Sequence, residues 1–256
     1  MLLLTSPKVS HFSEQNHAHA YYPAQEVEST KEERRMILNA SAHWCAAIVL
    51  AASASSAYAQ SKPPADLDPQ SRARLPYLKK SDMDAKGQKI FDTLPGAGKD
   101  EILRGPLAFA AYNPAVAQAL FDLHNAAVPG GTLDPHTREL AILVACRATN
   151  YNLEWNAHEA IARKAGLDAS LIDVVRHNRP LAGLNEKDAT VIRFGRQMFR
   201  DKKVDSATFA KAVEFWGKRG TMDMVAVMST YAVSGYFAIA VDERPAEGNS
   251  GLPPGK

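Results

Sequence analysis

The chain has 256 residues, with 30 basic and 28 acidic side chains and a formal charge of +2. So even a balance excludes a strongly basic nucleic-acid-binding surface. The two cysteines, Cys45 and Cys146, are too few for a disulfide-stapled framework.

In chain order, the first sixty residues do not read as fold. Arg34-Arg35-Met36-Ile37-Leu38-Asn39 resembles a bacterial twin-arginine export signal, with an ordinary Sec signal as the alternative. The apolar stretch over 44–55 is too short to span a bilayer, and Ala57-Tyr58-Ala59 has the small-x-small pattern of a signal peptidase site. The expected product is a periplasmic or secreted protein that begins at Gln60, with no membrane association after cleavage. Cys45 leaves with the signal, so Cys146 is expected as a lone thiol without a disulfide. The domain plan is then a signal over 1–59, an extended arm over 60–80, a helical domain over 81–243 and a flexible tail over 244–256.

Helical periodicity dominates from residue 82 onward. Amphipathic helices are expected over 82–94 and 114–128, the second broken by Pro129-Gly130-Gly131. Asp134 caps the next helix with Pro135 at its first position, and the run from Leu140 to Cys146 is apolar almost all round, which predicts a central, buried helix. Further helices are expected over 151–165, ended by Gly166, over 168–177, over 185–200 capped by Asn185, and after Asp205, with Phe209, Ala212, Val213 and Trp216 on one face. The last covers 221–241. Its final 18 residues carry no charge, yet Ser229, Thr230, Tyr231, Ser234 and Tyr236 make it a buried central or subunit-interface helix rather than a membrane span. No stretch alternates like a strand, so the fold class is an all-α bundle.

Chemistry concentrates between Glu139 and His158. On a helix that starts near Tyr151, residues 151, 154, 155 and 158 fall on one face, because positions three, four and seven apart stack over successive turns. Glu154 and His158 are therefore expected to touch. Glu139 shares a stripe with Ile142, Leu143 and Cys146, and a turn at Thr149-Asn150 would fold it back onto that face. Carboxylate, imidazole and phenol in one apolar crevice are acid/base equipment. Trp155 is read as a pocket wall or core residue. His124, His136 and His177 lie near expected helix ends and are read as surface residues. Oxygen and imidazole ligands at Glu139, Glu154 and His158 would suit a divalent ion, but nothing in the spacing demands one, and neither metal nor cofactor is assigned.

Several pieces in order resemble the carboxymuconolactone decarboxylase and alkylhydroperoxidase D superfamily, an all-helical fold. They are Gly105-Pro106-Leu107 with Asn113-Pro114, Thr137-Arg138-Glu139-Leu140-Ala141-Ile142-Leu143, Tyr151-x-x-Glu154-Trp155-x-x-His158-x-x-x-Ala162, and Ala165-Gly166-Leu167. The resemblance covers about residues 104–241 and implies a helical bundle of the alkylhydroperoxidase D-like type, assembled as a homo-oligomer, a trimer or a hexamer of trimers. In its peroxidase branch the pattern is Glu, then Cys-x-x-Cys, then His four residues later. Here Glu139 and His158 match, while Tyr151 and Glu154 stand at the cysteine positions, which argues against disulfide-cycling peroxidase chemistry. The decarboxylase branch has a Glu four residues before the His, as here.

That branch implies cofactor-free lyase chemistry on a small carboxylated or lactone substrate. His158 would be the general acid/base, Glu154 would orient it and raise its pKa, Glu139 would be a second proton carrier, and Tyr151 a hydrogen-bond donor. Arg138 and Trp155 are assigned to substrate contact. A peroxidase-type antioxidant is the alternative, and a non-catalytic oligomeric binding protein the second.

Overall fold

In five helices, the first free N–H groups are taken by an acidic or amide side chain just ahead of the helix. Asp84 accepts from Gly87, Asp134 from Thr137, Asp168 from Leu171, Asn185 from Asp188 and Asp205 from Thr208. The computed structural model describes residues 64–94, 99–246, 248 and 251–253. The expected export signal, its cleavage site and Cys45 lie outside them. Among the described residues there are seven α-helices: α1 (Ala85–Phe91), α2 (Pro114–Ala127), α3 (Pro135–Ala148), α4 (Asn152–Lys164), α5 (Ala169–Arg176), α6 (Glu186–Arg196) and α7 (Ser206–Ala240). No named strand occurs among those residues, only an isolated bridge between Lys79 and Ile102. The expected all-α class holds.

α3 is the axis of the bundle and packs against α7, α4 and α6. Every residue from Glu139 to Arg147 is buried, as the apolar run predicts. Fully burying Leu140, Ile142 and Leu143 contributes roughly 1.5–3 kcal/mol each, far more than the few tenths by which helix propensities differ. Tertiary burial therefore decides that this segment is helical. α3 ends at Asn150, whose φ of 53° is left-handed, with Tyr151 N–H donating to Cys146 O at 2.8 Å. This closing turn satisfies the last carbonyls of α3 and sends α4 back along it. α4 ends the same way at Gly166, φ 91°, with Leu167 N–H on Ala162 O at 3.0 Å.

Two boundaries differ from expectation. The helix expected to run to residue 200 leaves α geometry at Arg196 and widens into a π-turn, Gln197–Asp201, closed by Lys202 at φ 56°. α7 continues through the expected interhelical break, but the backbone at Gly217 is non-helical (φ 66°, ψ 176°), so two helices meet end to end there. Although α7 is long and apolar enough to cross a membrane by length and composition, its Met224, Val227, Met228 and Tyr231 sit in the main core. The arm is tied down where it is described, since Arg74 N–H donates to Val241 O at 2.7 Å and Ala73 is fully buried. Within the segment drawn as a flexible tail, Leu252 is seated on the helical domain. Leu252 is buried in the main core and its N–H reaches Asn152 Oδ1 at 3.0 Å.

Helices α3, α6 and α7 pack tightly around Gly195. A Cβ at Gly195 would come within 2.3 Å of Val144 Cγ1 and 3.2 Å of Met228 Cε. Val144 is β-branched and stiff, so it cannot swing aside. Gly195→Ala is expected to destabilise the protein by ~1–3 kcal/mol through overpacking, and adding Val144→Ala to restore part of the loss. Melting curves of both single variants and the double variant check this; strictly additive losses would exclude the clash as the cause.

Candidate active site

The reversal at Asn150 lays α4 on α3 so that His158, two turns into α4, faces Glu139 in the first turns of α3. His158 Nδ1 is 2.8 Å from Glu139 Oε2. On the other side of the ring, Nε2 is 3.0 Å from the Tyr231 hydroxyl and 3.4 Å from Glu154 Oε2. The Tyr231 ring stands edge-on to the imidazole, with centroids 4.9 Å apart and planes at 85°. Glu139, Glu154 and Tyr231 are all buried, and the His158 side chain keeps 13% exposure, a narrow opening to its surroundings.

Burial alone would favour neutral imidazole. The hydrogen bond to Glu139, then that to Glu154 and the charges of both carboxylates, outweigh it and raise the His158 pKa from 6.5 to about 9. At neutral pH the ring is an imidazolium, and both of its N–H groups donate. Burial and the negative charge of Glu154 push the Tyr231 phenol well above its ordinary range. It stays protonated, so while its oxygen accepts from His158 its own O–H is free to donate onward. Arg138 Nε lies 3.7 Å from Glu139 Oε1 and has no hydrogen-bond partner among the described residues. Glu139, Glu154, His158 and Arg138 thus form one largely buried cluster of two acidic and two basic side chains.

The structure brings together Glu139, Glu154 and His158, as the spacing predicts, and places Arg138 beside Glu139. It does not bring Tyr151 to the ring. Tyr151 is the residue before the first turn of α4, with φ −84° and ψ 91°, so the stacking rule for helical neighbours does not extend to it. Its buried side chain lines a separate cavity of about 390 Å³ with Arg72, Tyr77 and Glu243. There, burial and then the charge of Glu154 push the Glu243 carboxyl up to about 7, opposed by Arg72 and by a hydrogen bond from Tyr151. Of the two readings of Trp155, pocket wall or core, the structure shows core, which corrects its assignment to substrate contact. It has no exposed surface, its indole N–H donates to Glu159 Oε2 at 3.0 Å, and the Arg176 guanidinium covers its ring at 5.3 Å. It is core, sealed from any substrate.

Sequence reasoning missed two residues. Tyr231 lies 73 positions from His158, and the available signal was a phenol within an otherwise apolar helix, since a buried tyrosine needs a polar partner for its hydroxyl. His124, read as a surface residue, has a buried Nδ1 without a partner among the described residues, and its ring centroid is 6.3 Å from that of Tyr231. No group of three His, Cys, Asp or Glu side chains with metal-holding geometry occurs among the described residues.

Residues 114–192, which include Glu139, Glu154 and His158, match the model of the Carboxymuconolactone decarboxylase family. Among solved structures, an uncharacterised peroxidase-related protein from Ralstonia eutropha JMP134, described as an alkylhydroperoxidase AhpD core, superposes with a TM-score of 0.52 at 22% identity, over 70% of this chain and 95% of that one. An uncharacterised peroxidase-related protein from Silicibacter sp. TM1040 gives 0.52 at 18% identity, over 75% and 98%. A cysteine-to-alanine variant of the debrominase Bmp8, in complex with 2,3,4-tribromopyrrole, gives 0.52 at 13% identity, over 68% and 91%. No curated protein matches the sequence. At these identities the superpositions establish the fold, and together with the family match they bear out the resemblance read from the sequence.

A raised histidine pKa has a defined consequence for stability. Protonated His158 is favoured by folding, so its contribution is full below pH 6.5 and disappears as pH rises through about 9. The ceiling on that contribution is on the order of 3 kcal/mol. The melting-temperature advantage of wild type over His158→Gln should therefore shrink steadily between pH 6 and pH 10. A difference that stays constant across that range would contradict the raised pKa.

Proposed function

Taking a chain that carries the carboxymuconolactone decarboxylase pattern on an AhpD-like core, we propose that it is a cofactor-free acid/base enzyme of the lyase type, acting on a small carboxylated or lactone substrate. The observation that carries this reading is the clamping of His158 between Glu139 at 2.8 Å and Tyr231 at 3.0 Å. With a pKa of about 9, only about 1% of the imidazole is neutral at pH 7. It is therefore a stored acid rather than a waiting base. Loss of a carboxylate from a conjugated lactone leaves the bonding electrons in the carbonyl system, and the resulting carbanion must take up a proton. The Tyr231 O–H supplies it and is refilled from His158 Nε2, while Glu139 holds the ring through Nδ1 and Glu154 supports the charge. Arg138, part-buried and with its Nε uncommitted, would pair with the substrate carboxylate.

Thiol chemistry gives the peroxidase alternative no support. Cys146 is fully buried, and burial, followed by the charges of Glu154 and Glu139, pushes its pKa well up, so it is held as the unreactive thiol. Two further expectations accompany the proposal: export, from the motifs over 34–59, and self-association, for which the exposed Met222, Tyr236 and Ile239 of α7 offer apolar surface to cover.

The test is carbon dioxide release from a panel of carboxylated muconolactones, with deuterium uptake from heavy water. His158→Gln is expected to lower turnover ~100- to 10,000-fold. Tyr231→Phe should cost roughly 100-fold, as for loss of one positioned donor, and Cys146→Ser should leave the rate nearly unchanged. Full turnover in His158→Gln would sink the proposal, and peroxide reduction that requires Cys146 would replace it. Light scattering is expected to show a trimer or hexamer, and a monomer at micromolar concentration would contradict the self-association.

A further inference from the structure

A second cavity, about 650 Å³, is lined by residues of α3, α5, α6 and the π-turn and shares no lining residue with the His158 cluster. Its floor is apolar, formed by Val144, Ile192 and Phe199, and its polar wall carries Arg147 and Arg196. Arg147 is only 9% exposed. Its Nη1 donates to the neutral Asn150 Oδ1 at 2.8 Å, and its buried Nε has no partner among the described residues. Arg196 donates to two backbone carbonyls, Arg179 O at 2.8 Å and Val174 O at 3.1 Å. Neither arginine forms an ion pair with a carboxylate among the described residues. The acidic groups near the cavity are already engaged, Asp201 with Arg200 and Asp173 with His177 and Arg179.

A guanidinium cannot shed its proton to escape burial, and burying a charge without a partner is strongly unfavourable. Burial depresses the Arg147 pKa with no acidic group to offset it, and Arg196 is depressed by burial and then by the like charge of Arg200. Among the described residues, no anion offsets the charge of this corner of the fold. A planar fork of donors suits a carboxylate, and the apolar floor suits a hydrocarbon body.

We propose that this cavity binds a small organic carboxylate with an apolar body, its carboxylate held by Arg147 with Arg196 adding positive charge, and its hydrocarbon part lying on Val144, Ile192 and Phe199. The site is independent of proton transfer at His158. Arg147 lies eight residues beyond Glu139, ~12 Å further along α3.

Calorimetric titration of the full chain with sodium octanoate tests it. Wild type should bind octanoate, with Arg147→Met weakening binding roughly 10- to 100-fold, the effect of losing hydrogen bonds to a charged group. Octanamide, equal in size but neutral, should bind as poorly to wild type as octanoate does to the variant. Without ligand, Arg147→Met should melt at or above wild type, because it removes an unpaired buried charge. Should that variant fail to fold, Arg147→Lys keeps the charge, loses the fork and is still expected to bind more weakly. His158→Gln should bind octanoate like wild type, which separates this site from the lyase proposal. No binding to wild type, equal binding by Arg147→Met, or octanamide matching octanoate would each overturn the proposal.

Discussion

Everything at the candidate site depends on one buried carboxylate. Glu139 stands in a helix that is otherwise packed with Leu140, Ile142 and Leu143 on all sides, and it is 3% exposed. An ionised carboxylate there is tolerable only with a cation on it, and His158 provides the hydrogen-bonded partner. Such a pair gains little net stability, but removing either member leaves an uncompensated buried charge. The geometry therefore favours the imidazolium, raising the His158 pKa to about 9. The requirement that α3 be buried and the raised pKa of His158 are two faces of one constraint.

The turn at Asn150 is what lets the constraint be met. A left-handed residue there lets Tyr151 N–H close on Cys146 O, which fixes where α4 starts and so where His158 falls along α3. The same turn explains the fate of Tyr151. The last residue before α4 cannot share a face with residues inside it, and its phenol goes to the Glu243 cavity while Tyr231 of α7 takes the place beside the imidazole.

Local rules were enough for much of this. Asp134, Asp168, Asn185 and Asp205 announce their helices, the unbroken apolar run after Glu139 announces the central one, and a spacing of four places Glu154 against His158. Glu139 was also legible, because one short turn separates its helix from that of His158. What could not be read was long-range. Tyr231 reaches the site only through the packing of α7 on α3, and His124 comes beside it only through the packing of α2 on α7. No periodicity in the chain encodes that. Trp155 misleads for a related reason, since its position on the His158 face says nothing about Arg176 covering it from α5. The π-turn after Arg196 has no sequence explanation that we can give.

The C-terminal segment carries a consequence of its own. Gly251 lies against Trp155 and Asn156 so closely that a Cβ would fall 2.6 Å from Trp155 Cδ1 and 2.0 Å from Asn156 Oδ1, and Leu252 fills the core beside them. The indole, one helical turn from His158, thus owes its burial partly to residues 96 and 97 positions downstream. Read in a Trp216→Phe background, Trp155 emission would therefore report how Gly251 and Leu252 pack against the helix that bears His158.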